Sequence, residues 1–206
     1  MSKVDKVLAL VLYPGFAVLD VFEAKNRFNV VVISQDGLPV KSDTLMFGSS
    51  QTVEAHFSFE TAPKIDYLFV PGGTPTSIKE GLENKLLLNF LKSKAAEAEN
   101  VLSVCTGSAL LAGAGVLDGI RATTNKSQFK WIETTNEKVI WVRKARWVED
   151  GKFFTSSGVT AGMDMAINFI KIKFGTEVQN IVEEIIEYKA QEDSSEDIWS
   201  AHFGLN

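Results

Sequence analysis

Two stretches near the start of the chain, 6–13 (KVLALVLY) and 29–34 (NVVVIS), are almost wholly apolar and of strand length. Such runs fit strands covered on both faces, because a half-exposed strand would alternate. The second run ends at the turn signal Asp36-Gly37. Residues 66–70 (DYLFV), stopped by Pro71-Gly72-Gly73, and 101–104 (VLSV) repeat the buried-strand pattern. Between the second run and residue 66, 38–59 predicts short hairpin strands, with alternation at 52–57. Helical spacing sets in over 84–99, where Leu87, Leu88 and Leu91 face inward and Lys and Glu outward. Small residues over 106–117 predict a helix that packs closely on the sheet. A short strand at 121–124, a helix at 127–134 and a hairpin over 146–156 around Glu149-Asp150-Gly151 follow. Amphipathic helices are predicted at 160–174 and 177–188. Strands alternating with helices indicate an α/β fold: a mainly parallel sheet with helices on both faces and a ligand crevice beyond the carboxyl ends of the strands. The expected organisation is one domain over 1–190 and a tail over 191–206. The tail is acidic and then aromatic (Trp199, His202, Phe203), which fits a docked arm and a frayed end equally.

Composition narrows the function classes. A chain of 206 residues can bury a substantial core, and 45% hydrophobic with 23% charged residues is ordinary for a globular protein. The net charge of −5 argues against nucleic acid as a partner, since phosphate recognition needs an excess of Lys and Arg. No apolar run approaches the length of a membrane span, and the start carries no signal-peptide pattern. One Cys cannot form an internal disulfide, so the expected compartment is reducing: the cytoplasm, with the nucleus left open. With one Cys and two His, a structural zinc site is short of ligands, and no metal is expected.

The candidate chemistry centres on Val104-Cys105-Thr106-Gly107-Ser108. A buried strand delivers Cys105 to its carboxyl end and a helix begins at once, as in a nucleophile elbow. The first turn of that helix favours an anion, which lowers a thiol pKa toward thiolate. The competing reading is a buried small hydrophobe, the commonest use of a free cysteine. Pro71-Gly72-Gly73-Thr74 should reach the same sheet edge, where Gly72 and Gly73 either point N–H groups at an oxyanion or form an ordinary turn. Tyr13-Pro14-Gly15 leads to Leu19-Asp20, where partial desolvation would suit Asp20 to proton transfer; helix capping is its commoner use. Phe129, Trp131 and Trp141 read as core, His56 and His202 as structural or exposed, and Asp164 as a structural group tied to the loop at 156–160. The Lys and Glu runs at 92–99 and 183–192 read as solvated helix faces.

These segments together, YPGF…LD (13–20), VPGG (70–73), SVCTGSALLAGAGVLDG (103–119), RATT (121–124) and SSGVTAGMD (156–164), resemble the ThiJ/PfpI superfamily from about residue 7 to 188. Leu19-Asp20 and Cys105-Thr106-Gly107-Ser108 are most similar to its isonitrile hydratase-like branch. The resemblance implies a flavodoxin-like sandwich, a homodimer, a small-molecule substrate, and no metal or organic cofactor. It assigns Cys105 as nucleophile, Asp20 as general acid/base, Thr106 as a contact to the catalytic groups or substrate, and N–H groups near Gly72, Gly73 and Thr106 as the anion site. The implied reaction is hydration of an isonitrile to an N-substituted formamide. Glyoxalase-like or small-amide hydrolase activity is the enzymatic alternative, and a non-catalytic redox sensor or binding module is the alternative of another class. Members of this branch commonly carry His where this chain has Asn125, which disfavours activities that need a Cys–His pair. They also carry a helix between Asp20 and the second strand that residues 23–28 are too few to form; Glu23 is then a fallback carboxylate.

Overall fold

The computed structural model describes residues 6–14, 29–42 and 50–205. In chain order the elements are β1 (Val7–Val11), β2 (Asn29–Ile33), β3 (Val40–Lys41), β4 (Thr52–Val53), β5 (Tyr67–Val70), α1 (Pro75–Glu83), α2 (Lys85–Glu97) and β6 (Asn100–Ser103). They continue with α3 (Gly107–Gly113), β7 (Arg121–Ala122), a 3-10 turn (Lys126–Gln128) running into α4 (Phe129–Ile132), β8 (Ile140–Trp141), β9 (Trp147–Asp150) and β10 (Phe153–Ser156). The last three are α5 (Val159–Phe174), α6 (Thr176–Ile186) and α7 (Ile198–His202).

The central sheet has the order β2-β1-β5-β6-β10-β9, parallel throughout except for the antiparallel edge strand β9. This is the α/β class that the apolar runs indicate. Side chains alternate between two cores because successive strand residues point to opposite faces. On one face Leu68 and Val101 pack against Ile78, Leu91 and Leu110 of α1 to α3. On the other, Tyr67, Leu102 and Phe154 meet Met165 and Phe169 of α5, with Phe169 edge-on to Phe154 at 5.1 Å. Each of these large side chains contributes roughly 1.5–3 kcal/mol by leaving water.

Several local expectations need correction. The helix read over 106–117 stops at Gly113, and Gly115 follows at φ 71 in the left-handed region that ends helices. No helix was expected between 74 and 84, yet α1 fills it. The Thr74 hydroxyl accepts from Ser77 N–H and Pro75 occupies the first turn, a start signal hidden behind the preceding Pro-Gly-Gly turn. The alternation at 52–57 yields only β4 and a single parallel bridge from Phe57 to Ile33. The connection between Asp20 and β2, where a helix was expected to be missing, lies outside the described residues.

Asp164 is structural, as expected, but with other partners. It is fully buried on α5 and accepts from Arg146 Nε at 2.6 Å, Tyr188 Oη at 2.8 Å and the Gln191 N–H at 2.9 Å. It therefore ties the residue before β9 and the segment after α6 to α5, and reaches the loop at 156–160 only through Arg146, which accepts from the Ser157 N–H at 2.8 Å and donates to Thr160 Oγ1 at 3.3 Å. Glu183 is likewise not a solvated group: it is buried and accepts from Lys189 Nζ and the Ala190 N–H. The tail is docked. The Arg146 N–H donates to Ser194 O at 2.6 Å, and Asp197, Ser200 and Leu205 are buried. Among the described residues no helix is long and apolar enough to cross a membrane.

Candidate active site

Strand β6 is buried along its whole length and ends one residue before Val104, so its direction fixes where Cys105 emerges. Cys105 has φ 58, a left-handed conformation that a side chain ordinarily avoids at a cost of about 1–3 kcal/mol. The surrounding contacts hold it there. Its carbonyl accepts from Thr124 Oγ1 at 3.0 Å, and the Val104 N–H bonds to Val70 O at 3.2 Å. Gly107 lets the elbow lie directly on β5: a Cβ at that position would fall 2.4 Å from Val70 O and 2.6 Å from Pro71 O. The sulfur is half-buried at the carboxyl edge of the sheet, where the strand order predicts a crevice.

The Pro71–Gly73 turn abuts the elbow. A Cβ on Gly72 would sit 2.8 Å from Cys105 Cβ and 3.1 Å from Thr106 N, so only glycine permits this approach. Thr106 is buried, and its hydroxyl exchanges two bonds with Gly73, accepting from N–H and donating to O, each at 2.9 Å. The Thr106 side chain thus holds the turn, and the Gly73 N–H is directed at it. Tyr13 joins the group by donating from Oη to Pro71 O at 2.9 Å. The structure therefore brings together the end of β1, the turn after β5 and the elbow after β6. Asp20 and Glu23 lie outside the described residues.

A side chain that sequence reasoning treats as a loss meets the sulfur. Asn125 Nδ2 donates to Cys105 Sγ at 3.3 Å. Its amide can face only one way, because Asn125 Oδ1 already accepts from Ser127 N–H at 3.0 Å and Ser127 Oγ at 2.7 Å. An N–H donor beside sulfur favours the thiolate over the thiol, yet it cannot remove a proton as an imidazole would. Both histidines are engaged elsewhere. His56 Nδ1 accepts from the Val32 N–H at 2.9 Å, and His202 packs edge-on to Trp199 and Phe203. Phe129 is fully buried, and Trp131 and Trp141 pack against the larger core. Among the described residues no group of His, Cys, Asp and Glu comes together as a metal site requires.

Replacing Asn125 by alanine should slow alkylation of Cys105 by iodoacetamide about three- to tenfold at neutral pH and move the half-maximal rate to higher pH. A pH–rate series on both proteins checks this. An unchanged profile would mean that the amide does nothing for the thiolate.

Sequence reasoning also missed Lys126, a buried ammonium one residue beyond Asn125. Its Nζ bonds to Ala145 O at 2.7 Å, Thr123 Oγ1 at 2.9 Å and Thr124 O at 3.2 Å, and pairs with Asp197 Oδ2 at 3.0 Å. Burial pushes this lysine below its ordinary pKa, and the Asp197 carboxylate opposes the shift. No signal along the chain marks it: Asp197 reads only as the cap of the short run Ile198-Trp199, its side chain accepting from the Trp199 N–H at 2.8 Å.

Known proteins are similar to this chain in sequence and in fold. Residues 12–172 match the model of the DJ-1/PfpI family. Isonitrile hydratase of Pseudomonas putida is 34% identical over 169 residues, covering 82% of this chain and 70% of that protein. The HTH-type transcriptional regulator GbdR of Pseudomonas aeruginosa is 29% identical over 130 residues, which is 63% of this chain but only 34% of the regulator. The crystal structure of a ThiJ/PfpI family protein from Pseudomonas syringae superposes with a TM-score of 0.81 at 25% identity, covering 98% of this chain and 86% of that one.

Proposed function

The chain belongs to the DJ-1/PfpI family, and on that premise we propose that it is a cysteine-dependent hydratase converting a small isonitrile to the N-substituted formamide. The observation that carries the reading is the pairing of Cys105 Sγ with an amide donor, Asn125 Nδ2, in place of a basic ring. A thiol activated for amide hydrolysis or for glyoxalase chemistry works with an adjacent base that later protonates the leaving or rearranging group. Addition to an isonitrile needs less: a thiolate, and one acid to protonate the terminal carbon. The 34% identity to isonitrile hydratase supports the same assignment.

In this reading Cys105 sulfur bonds to the isonitrile carbon while Asp20 delivers a proton to that carbon, giving a thioimidate. Water then adds to the same carbon while Asp20 takes its proton and hands it to the nitrogen; on collapse the hydroxyl proton returns to Asp20. Collapse of the adduct expels the Cys105 thiolate and releases the formamide, so the net change is addition of one water. Dividing the hydration in this way replaces one high barrier by two lower ones. In this reading Gly72 and the Thr106 backbone, which lie against Cys105, would bind the developing anion, and Gly73 would act through the Thr106 hydroxyl. A thiolate of this kind persists in a reducing compartment, so the proposal puts the protein in the cytoplasm.

A second reading, a ligand-sensing module without turnover, is favoured by the similarity to GbdR, which is a transcriptional regulator. One experiment separates the two. The protein and its Cys105→Ala variant are incubated with a panel of alkyl and aryl isonitriles and with methylglyoxal, and products are followed by chromatography. Formamide formed by the parent and lost by at least a thousandfold in the variant is the expected result. Lactate from methylglyoxal would replace it with the glyoxalase reading, and saturable binding of a panel member without product would favour the sensing module.

A further inference from the structure

We infer that the C-terminal arm is a positioning element of the active site: the buried ion pair between Asp197 of the arm and Lys126 fixes residues 123–126 so that Asn125 meets Cys105 sulfur. The inference rests on Cys105 being the reactive group, and it is independent of the substrate proposed above.

The chain of contacts is short. The Lys126 and Asp197 side chains are 2% and 1% exposed, so neither has water to fall back on. The ammonium is surrounded by acceptors from three places: Asp197 of the arm, Ala145 before β9, and Thr123 and Thr124 of its own segment. That segment touches the elbow twice. Thr124 Oγ1 donates to Cys105 O at 3.0 Å, and Asn125 Nδ2 donates to Cys105 Sγ at 3.3 Å. One charged group therefore sits between the arm and both of these contacts to the cysteine. Asp197 is held in place within the arm, its N–H bonding to Ser195 O at 2.9 Å and its carbonyl accepting from Ser200 Oγ at 3.1 Å, and the arm is joined to the body by the Arg146 N–H to Ser194 O at 2.6 Å. Breaking a buried pair by removing one partner leaves an uncompensated charge, which the local structure relieves by moving it toward water. For Lys126 such movement withdraws Nζ from Thr124 O and loosens the residues on which Asn125 sits. Thr123 has separate anchors, its N–H to Thr155 Oγ1 and its hydroxyl to Val142 O, both at 2.9 Å. These would hold the segment without the arm if the inference were wrong.

Asp197→Asn is the discriminating variant, because asparagine caps a helix as well as aspartate does and only the charge is lost. Alkylation of Cys105 by iodoacetamide is followed from pH 5 to 10 in the full chain, with folding monitored by circular dichroism. The expected result is a three- to tenfold slower reaction at neutral pH and a half-maximal rate at higher pH, matching Asn125→Ala. In the Asn125→Ala background, Asp197→Asn should change the rate by less than about twofold, since coupled residues are not additive. A folded Asp197→Asn protein with the parent's profile, a faster reaction, or a full additional loss on top of Asn125→Ala would each overturn the inference. Should Asp197→Asn not fold, the double variant Lys126→Met with Asp197→Asn removes both charges together. It must show the same slowed profile, and a parental one would overturn the inference. Because alkylation requires no isonitrile, failure of the hydratase reading and failure of this one are read separately.

Discussion

Gly107→Ala is expected to lower the stability of the protein by about 3 kcal/mol, the upper end of what overpacking usually costs. The added methyl would lie 2.4 Å from Val70 O and 2.6 Å from Pro71 O, and both obstacles are backbone rather than side chains that could rotate away. Relief requires the elbow to lift from β5, which also breaks the approach of Gly72 to Cys105. For a chain of this size the shift in Tm should be roughly 6–12 °C, measured by calorimetry or thermal circular dichroism. Thiol alkylation and any isonitrile turnover should fall with it. Gly158→Ala serves as the contrast, since its methyl would first meet Asn125 Nδ2 at 3.9 Å, an ordinary contact, at a backbone of φ −73. Equal Tm values for the two variants would refute the close-approach argument.

Asp164→Ala should cost still more, about 3–5 kcal/mol. The substitution strands the Arg146 guanidinium, which is only 15% exposed, and leaves Tyr188 Oη and the Gln191 N–H without their acceptor. Asp164→Asn should be milder, because it keeps the volume and one acceptor oxygen. The same cluster predicts an alkaline limb. Burial first, then the hydrogen bond to Asp164 and its charge, push the Tyr188 phenol up to about 12 from an ordinary value of 10.0. A group whose pKa is raised on folding gives its full stabilisation below the unfolded value and loses it as pH climbs through the folded one. Urea stability should therefore decline between pH 10 and about 12, and Tyr188→Phe should flatten that decline. An identical slope in the two proteins would show that the phenol is not coupled to folding.

How much of this was legible in the sequence depends on the range of the signal. The apolar run at 101–104 marks β6, and the residue after Val104 must leave the sheet at its carboxyl edge whatever the rest of the chain does. Cys105 as the candidate centre follows from those local facts, and φ 58 agrees with a strained elbow. The turn at Pro71-Gly72-Gly73 was equally local, whereas α1 was not seen because the same turn masked its Thr-Pro start.

What the sequence by itself determined is therefore the α/β alternation, the buried strands and the position of one thiol at a strand end, since hydrophobic burial and turn chemistry act over a few neighbouring residues. What only the tertiary structure decided is how the polar groups pair. Lys126 is one of 21 basic residues and carries no local mark of burial; topology makes it a counter-ion for the tail. Asn125 appeared as a missing histidine until Ser127 turned its amide toward the sulfur. Pairing of this kind depends on which distant segments the sheet order brings within hydrogen-bonding distance, and no periodicity along the chain encodes that.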